Sequence, residues 1–176
     1  MLYDIYENNQ DNSARFALGR TGETPLFIFG INPSTANDQI LDATMKKVKG
    51  FASRNGFDGL VMLNIYPLRS PKSKDLPHFC DGNLCLQNIE VIQYYLQSVK
   101  RPTVWTAWGV SIDDHSYLSE CLIKIVKNID TTAADWQHCG SLTKLGHPRH
   151  PSRLPYCNVF QKFDLLSYIE GITKAK

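Results

Sequence analysis

Apolar residues fall along this chain in two alternating kinds of run. One is the short unbroken kind over 25–31 (PLFIFGI), and 59–67 (GLVMLNIYP), 103–109 (TVWTAWG) and 137–142 (QHCGSL) read as further strands. Such runs predict strands buried on both faces. Between them, apolar positions recur at helical spacing: Leu41, Met45, Val48 and Ala52 over 41–56, then Leu118, Leu122, Ile125 and Ile129 over 116–129. Lys46, Lys47 and Lys49 fall off the apolar stripe of the first of these, and Gly56 is placed to end it. Residues 83–99 read as a further helix and 160–172 as a closing one. Strands alternating with helices predict an α/β fold, a three-layer sandwich around a central, mostly parallel sheet. No repeat, low-complexity tract or linker interrupts the pattern, so 1–176 reads as a single domain.

Composition narrows the class. With 176 residues, 43% of them hydrophobic, the chain is long enough for a sizeable core. No apolar run reaches the length of a membrane span, and the opening MLYDIYENNQDNSARF is too polar and acidic for a signal peptide. The expectation is a cytoplasmic monomer with no membrane contact. Five cysteines (Cys80, Cys85, Cys121, Cys139 and Cys157) contain no C-x-x-C pair, so reduced thiols are the default. A metal set drawn from His78, Cys80, Cys85, His138 and Cys139 matches no common zinc spacing, and neither a metal nor an organic cofactor is expected. A net charge of +2 is too mild to mark nucleic-acid binding by itself. Positive charge is concentrated in 45–49, 69–74 and 144–153, runs that are most often solvated surface.

The unusual polar stretches all follow or end the expected strands. They are Asn32-Pro33-Ser34, Asn64 with Tyr66-Pro67, Trp108-Gly109, and GHPRHPSRLP over 146–155. In a parallel α/β sheet, ligands sit beyond the carboxyl ends of the strands, so these stretches are expected to border one cleft. Each has an ordinary structural alternative. Asn32 before a proline can simply shape a turn, and Asn64 can be a buried amide bonded to backbone. His147 and His150 compete for any functional role, because His-Pro occurs twice. Phe51 and Tyr66 fit core packing. Asp42 fits a helix cap, although Asp38 and Asp42 are also candidate water-activating carboxylates. Trp105 and Trp108 are three apart, so they cannot share one face of a regular strand.

Two resemblances rest on these residues. NPSTA (32–36), FASRNGFDGLVMLN (51–64), AWG (107–109) and GHPRHP (146–151) resemble the domain of unknown function 1643 family over nearly the whole chain. The order of motifs is also similar to the uracil-DNA glycosylase superfamily. GINPS (30–34) resembles the water-positioning loop of mismatch-type glycosylases, MLNIYP (62–67) the strand whose Asn reads the base, WTAWG (105–109) the next strand and its glycine. HPSRLP (150–155) resembles the loop that carries a histidine and an inserting leucine. Ser34 stands where those enzymes have glycine, and Arg153 interrupts the expected Ser-Pro-Leu.

The resemblance implies hydrolysis of the N-glycosidic bond of a modified or mismatched base, with DNA or a nucleotide as partner. Asn32 would orient water and face the cationic sugar. His150 would donate to the oxyanion developing on the leaving base. Asn64 would read the base edge, and Gly30 and Ser34 would complete the pocket. Phe51 or Tyr66 would stack on the extruded base, with Ser152 and Leu154 on the inserting loop. Lys72, Lys74, Arg149 and Arg153 would hold phosphates. The alternatives are a non-catalytic binder of nucleotides or damaged DNA, and an enzyme acting on free nucleotides or nucleosides. An Asp at position 32 is expected to keep or raise activity, since a carboxylate would interact more strongly with water and the sugar cation.

Overall fold

A computed structural model describes residues 3–174. The four expected strands are all present as β3 (Pro25–Gly30), β4 (Gly59–Asn64), β5 (Thr103–Thr106) and β6 (Asp135–Cys139). They run parallel in the order β4-β3-β5-β6. Three further strands extend this core into a seven-stranded mixed sheet. β1 (Ile5–Asn8) and β2 (Arg15–Arg20) add antiparallel beyond β4, and β7 (Phe160–Lys162) adds antiparallel beyond β6. Residues 160–162 were expected to begin the closing helix and instead complete the sheet.

Alternation along the strands divides the core in two. Phe27, Phe29, Val61, Leu63 and Val104 face one side, against α2 (Gly82–Gln97) and α3 (Ser116–Asn128). Tyr168, Ile169 and Ile172 of α4 (Leu165–Lys174) pack against the same cluster. Leu26, Ile28, Leu60, Met62 and Trp105 face the other, against Met45, Val48 and Phe51 of α1 (Ala43–Arg54). Side chains two apart share a face of a strand, so a continuous apolar run serves both cores. Trp105 and Trp108 fall in opposite cores, as their spacing of three requires.

The connections decide where a ligand can sit. From β3 the chain crosses by α1 to β4, and from β4 it returns by α2 past β3 to β5. The helices following β3 and β5 cover opposite faces of the sheet. The crevice at the carboxyl ends of β3 and β5 is therefore a topological switch point, where neither helix blocks the strand ends. Asp42 caps α1, its carboxylate accepting from the Met45 amide at 2.8 Å, and Asp81 caps α2. Among the described residues no helix is long and apolar enough to cross a membrane.

Candidate functional site

A cavity of about 550 Å³ opens at that switch point, within the range of small-molecule sites. Gly30, Asn32, Ser34, Asn64, Lys72, Lys74 and His150 all line it, and so do Trp108 and Asp42. Side chains from positions 30 to 150 thus meet at one edge of the sheet.

Asn32 has two distinct halves. Its amide nitrogen lies 2.9 Å from the Ser70 carbonyl, 3.1 Å from that of Pro33 and 3.5 Å from that of Leu68. Carbonyls only accept, so the NH₂ must face them and the orientation of the amide is fixed. Oδ1 has no partner among the described residues and is left for the cavity that Asn32 lines. The residue therefore shapes the turn with its donors and presents an acceptor.

Asn64 ends β4, level with Gly30 at the end of β3. It is 2% exposed, and its Nδ2 is buried with no hydrogen-bond partner among the described residues. A Cβ on Gly30 would sit 3.1 Å from Asn64 Oδ1, so the glycine keeps that oxygen uncrowded. A buried, unpaired amide costs roughly 1–3 kcal/mol. Here it faces a cavity large enough to bring it a partner.

His150 stands at the cavity wall, reached by solvent but surrounded closely enough that desolvation lowers its pKa below 6.5. Arg153 lowers it further, and Asp42 opposes both. The Ser152 amide donates to Nδ1 at 3.3 Å, and the Ser152 hydroxyl lies 2.9 Å from the same nitrogen. Because Nδ1 accepts from a backbone N–H, the neutral ring carries its proton on Nε2. Nε2–H is thus an uncharged donor. Gly109 makes room for this residue, with φ +66° and a virtual Cβ only 3.1 Å from His150 Cβ. Gly109→Ala is expected to cost about 1–2 kcal/mol from the left-handed backbone alone and to displace His150. Chemical denaturation would check the first effect and single-turnover kinetics the second.

His147 is not a second candidate in this geometry. It is buried, with Nδ1 2.8 Å from the Tyr168 hydroxyl and Nε2 2.9 Å from Asp113 Oδ2. Both ring nitrogens are committed to tying α4 to the turn after β5.

Several expected site residues lie elsewhere, each for a packing reason. Phe51 is fully buried on α1, 5.1 Å edge-on to Trp105 and 5.0 Å from Tyr156 between ring centroids. Tyr66 is buried in the opposite core against Tyr117, and its hydroxyl accepts from the Asp81 amide at 2.9 Å. Neither ring is available for stacking. Leu154 is 4% exposed and belongs to the α1-side core, so it is an anchor rather than an exposed wedge. Ser152 orients His150 and is absent from the cavity wall. Arg149 is exposed and donates from Nε to the Ser141 carbonyl at 2.9 Å. Arg153 is exposed beside His150 and does not line the cavity. Asp38 does not line it either, whereas Asp42 does.

Two arginines complete the site. Arg15, 2% exposed on β2, lines the cavity and donates from Nη1 to the Ala36 carbonyl at 2.8 Å. Arg69 donates from Nη1 to the carbonyls of Ser34 and Ala36, and from Nη2 to the Tyr6 hydroxyl. Together they hold the 32–36 corner in place. Among the described residues no carboxylate lies within ion-pair distance of either. Burial, with Arg69 nearby, lowers the pKa of Arg15 to about 10, so it stays charged at neutral pH and makes this wall of the cavity positive.

No curated protein and no solved structure matches the chain. The model of a family described as a protein of unknown function, DUF1643, matches residues 15–152, a span that runs from Arg15 to just past His150. The chain belongs to the DUF1643 family.

Proposed function

We propose that this chain hydrolyses the N-glycosidic bond of a modified or mismatched base in DNA, in a fold of the uracil-DNA glycosylase type. The observation that carries the reading is the buried, unpartnered amide nitrogen of Asn64 on a cavity wall. An amide offers one donor edge and one acceptor edge, which is what a pyrimidine or purine edge requires. Asn32 Oδ1 orients the attacking water and faces the sugar as it gains positive charge. As the C1′–N bond breaks, its electron pair passes to the base, and Nε2–H of His150 stabilises that charge. Water then bonds to C1′, and its proton leaves to solvent or to Asp42. Lys72, Lys74 and the charge of Arg15 favour a phosphate nearby.

One observation favours a second reading, a free nucleotide as substrate. Phe51, Tyr66 and Leu154 are all committed to the core, so none of the three can act as the stacking ring or wedge that base extrusion from a duplex uses. The same experiment tests both. The protein is incubated with duplexes carrying varied modified bases and assayed for alkali-labile abasic sites, while released base is measured from the matching nucleoside monophosphates. Strand cleavage, with DNA binding that falls steeply as salt rises, supports the first reading. Base release from monophosphates alone supports the second. Release from neither would leave N-glycosidic hydrolysis without support.

A further inference from the structure

Three cysteines far apart in sequence meet on the side of the sheet opposite α1. Cys80 ends the segment that leads into α2, Cys85 lies in the first turns of α2, and Cys121 lies in the middle of α3. Cys85 Sγ is 3.5 Å from Cys80 Sγ and 3.4 Å from Cys121 Sγ. All three sulfurs lie within 4.8 Å of one another. Zinc bound at about 2.3 Å from each sulfur requires sulfurs roughly 3.8 Å apart. Shifts of no more than about 1 Å would meet that requirement.

The surroundings match an ion better than three packed thiols. The hydroxyl of Tyr117, one turn before Cys121 on α3, is buried and has no partner among the described residues. A buried hydroxyl without an acceptor costs about 1–3 kcal/mol. A metal-bound thiolate is a far better acceptor than a thiol. Lys124 stands on the same helix, one turn beyond Cys121. Three thiolates around a divalent ion leave one net negative charge, which Lys124 balances, whereas a monovalent ion would leave two. Cys85 and Cys121 are buried, while Cys80 is only partly so and gives an ion a way in.

We propose that Cys80, Cys85 and Cys121 form a three-thiolate site for Zn²⁺, with the fourth position open to water. The site does not depend on what the cavity binds, but it bears on the cavity wall. The segment that carries Lys72 and Lys74 ends at Cys80, so the ion would fix that segment to α2 and α3.

The test uses the full chain, reduced and stripped with chelator, then titrated with Zn²⁺ against a chromophoric competitor. Cd²⁺ is titrated in parallel and read by its thiolate charge-transfer absorption. One equivalent of each is expected to bind. Cys85→Ser and Cys121→Ser should weaken Zn²⁺ by more than roughly 100-fold, the upper end of what losing an outer partner costs a metal site. Cys139→Ser and Cys157→Ser should bind as wild type. Because variants of buried cysteines can misfold, the wild-type protein supplies a second measurement: one equivalent of Zn²⁺ should protect Cys80 from alkylation, read by peptide mass. Absence of a charge-transfer band, Zn²⁺ affinity unchanged in folded Cys85→Ser and Cys121→Ser, or alkylation of Cys80 unaffected by Zn²⁺ would each overturn the proposal.

Discussion

Replacing His150 with alanine is expected to slow single-turnover base release by about 10²–10³-fold, the usual effect of removing one donor to a developing oxyanion. The ring acts only at bond breaking, when negative charge accumulates on the leaving base. Affinity for an abasic product, which has no such charge, should change little. The tautomer makes the prediction more specific. Ser152 donates to Nδ1, so protonating that nitrogen sets two donors against each other. As pH falls through the lowered pKa of His150, the ring must turn away from Ser152, and the rate should decline on the acid side. Folding follows the same sign. With the folded pKa below 6.5, the unfolded chain takes up the proton first, so stability present above 6.5 is lost as pH falls. Ser152→Ala removes the hydroxyl but keeps the amide, and should shift the acid limb more than the plateau. A pH–rate profile of wild type, Ser152→Ala and His150→Ala separates these effects. Wild-type rates in a folded His150→Ala protein would remove the histidine from the chemistry.

How much of this was legible in the sequence depended on whether local pattern or tertiary packing set each feature. β3 and β4 were legible because strands buried on both faces are largely apolar runs, whereas β6, DWQHC with Asp135 and Gln137 only half-buried, begins two residues before the expected 137–142. β1 and β2 were not legible. IYEN and RFALGR mix charge, glycine and apolar residues, and β2 starts on a buried arginine that donates to the Ala36 carbonyl from far along the chain. β7 is three residues long, too short for a period to register, and the apolar residues that follow it merged it with α4. The corner at Asn32 and the strand end at Asn64 could be marked because Gly, Pro and Asn interrupt apolar runs there. Nothing local distinguished His150 from His147, since each precedes a proline at nearly the same spacing. Their roles part only through Asp113 and Tyr168, which come from other elements. Arg15 and Arg69 left no motif, and Cys121 joins Cys80 and Cys85 only through the packing of α3 on α2.

The same distinction reverses one sequence-based expectation, that an aspartate at position 32 would keep or raise activity. Chemistry at the sugar alone favours the carboxylate. The structure adds the other half of the side chain, which faces the carbonyl oxygens of Pro33, Leu68 and Ser70. Asn32→Asp would point a second carboxylate oxygen at three acceptors, exchanging attraction for repulsion without changing size. The lost hydrogen bonds, with acceptors left unpaired, cost about 1–3 kcal/mol, and a charge held against carbonyls adds to that. The side chain can escape by rotating, which removes Oδ1 from the cavity, or by protonating, which restores a donor. The variant is therefore expected to be less stable than wild type at pH 7, to recover stability as pH falls from neutral toward the ordinary carboxylate range, because the facing carbonyls hold its folded pKa above the unfolded value, and to lose most of its activity at neutral pH. Asn32→Ala should lose activity as well. It should lack the acid recovery, because it has no group to protonate. Denaturant melts of the two variants at pH 7 and near pH 4, each referred to wild type under the same conditions, test this directly. If Asn32→Asp were as stable as wild type at pH 7, the NH₂ of Asn32 would not be holding the 32–36 corner to the segment at 68–70. The assignment of Oδ1 to the cavity would then lose its basis.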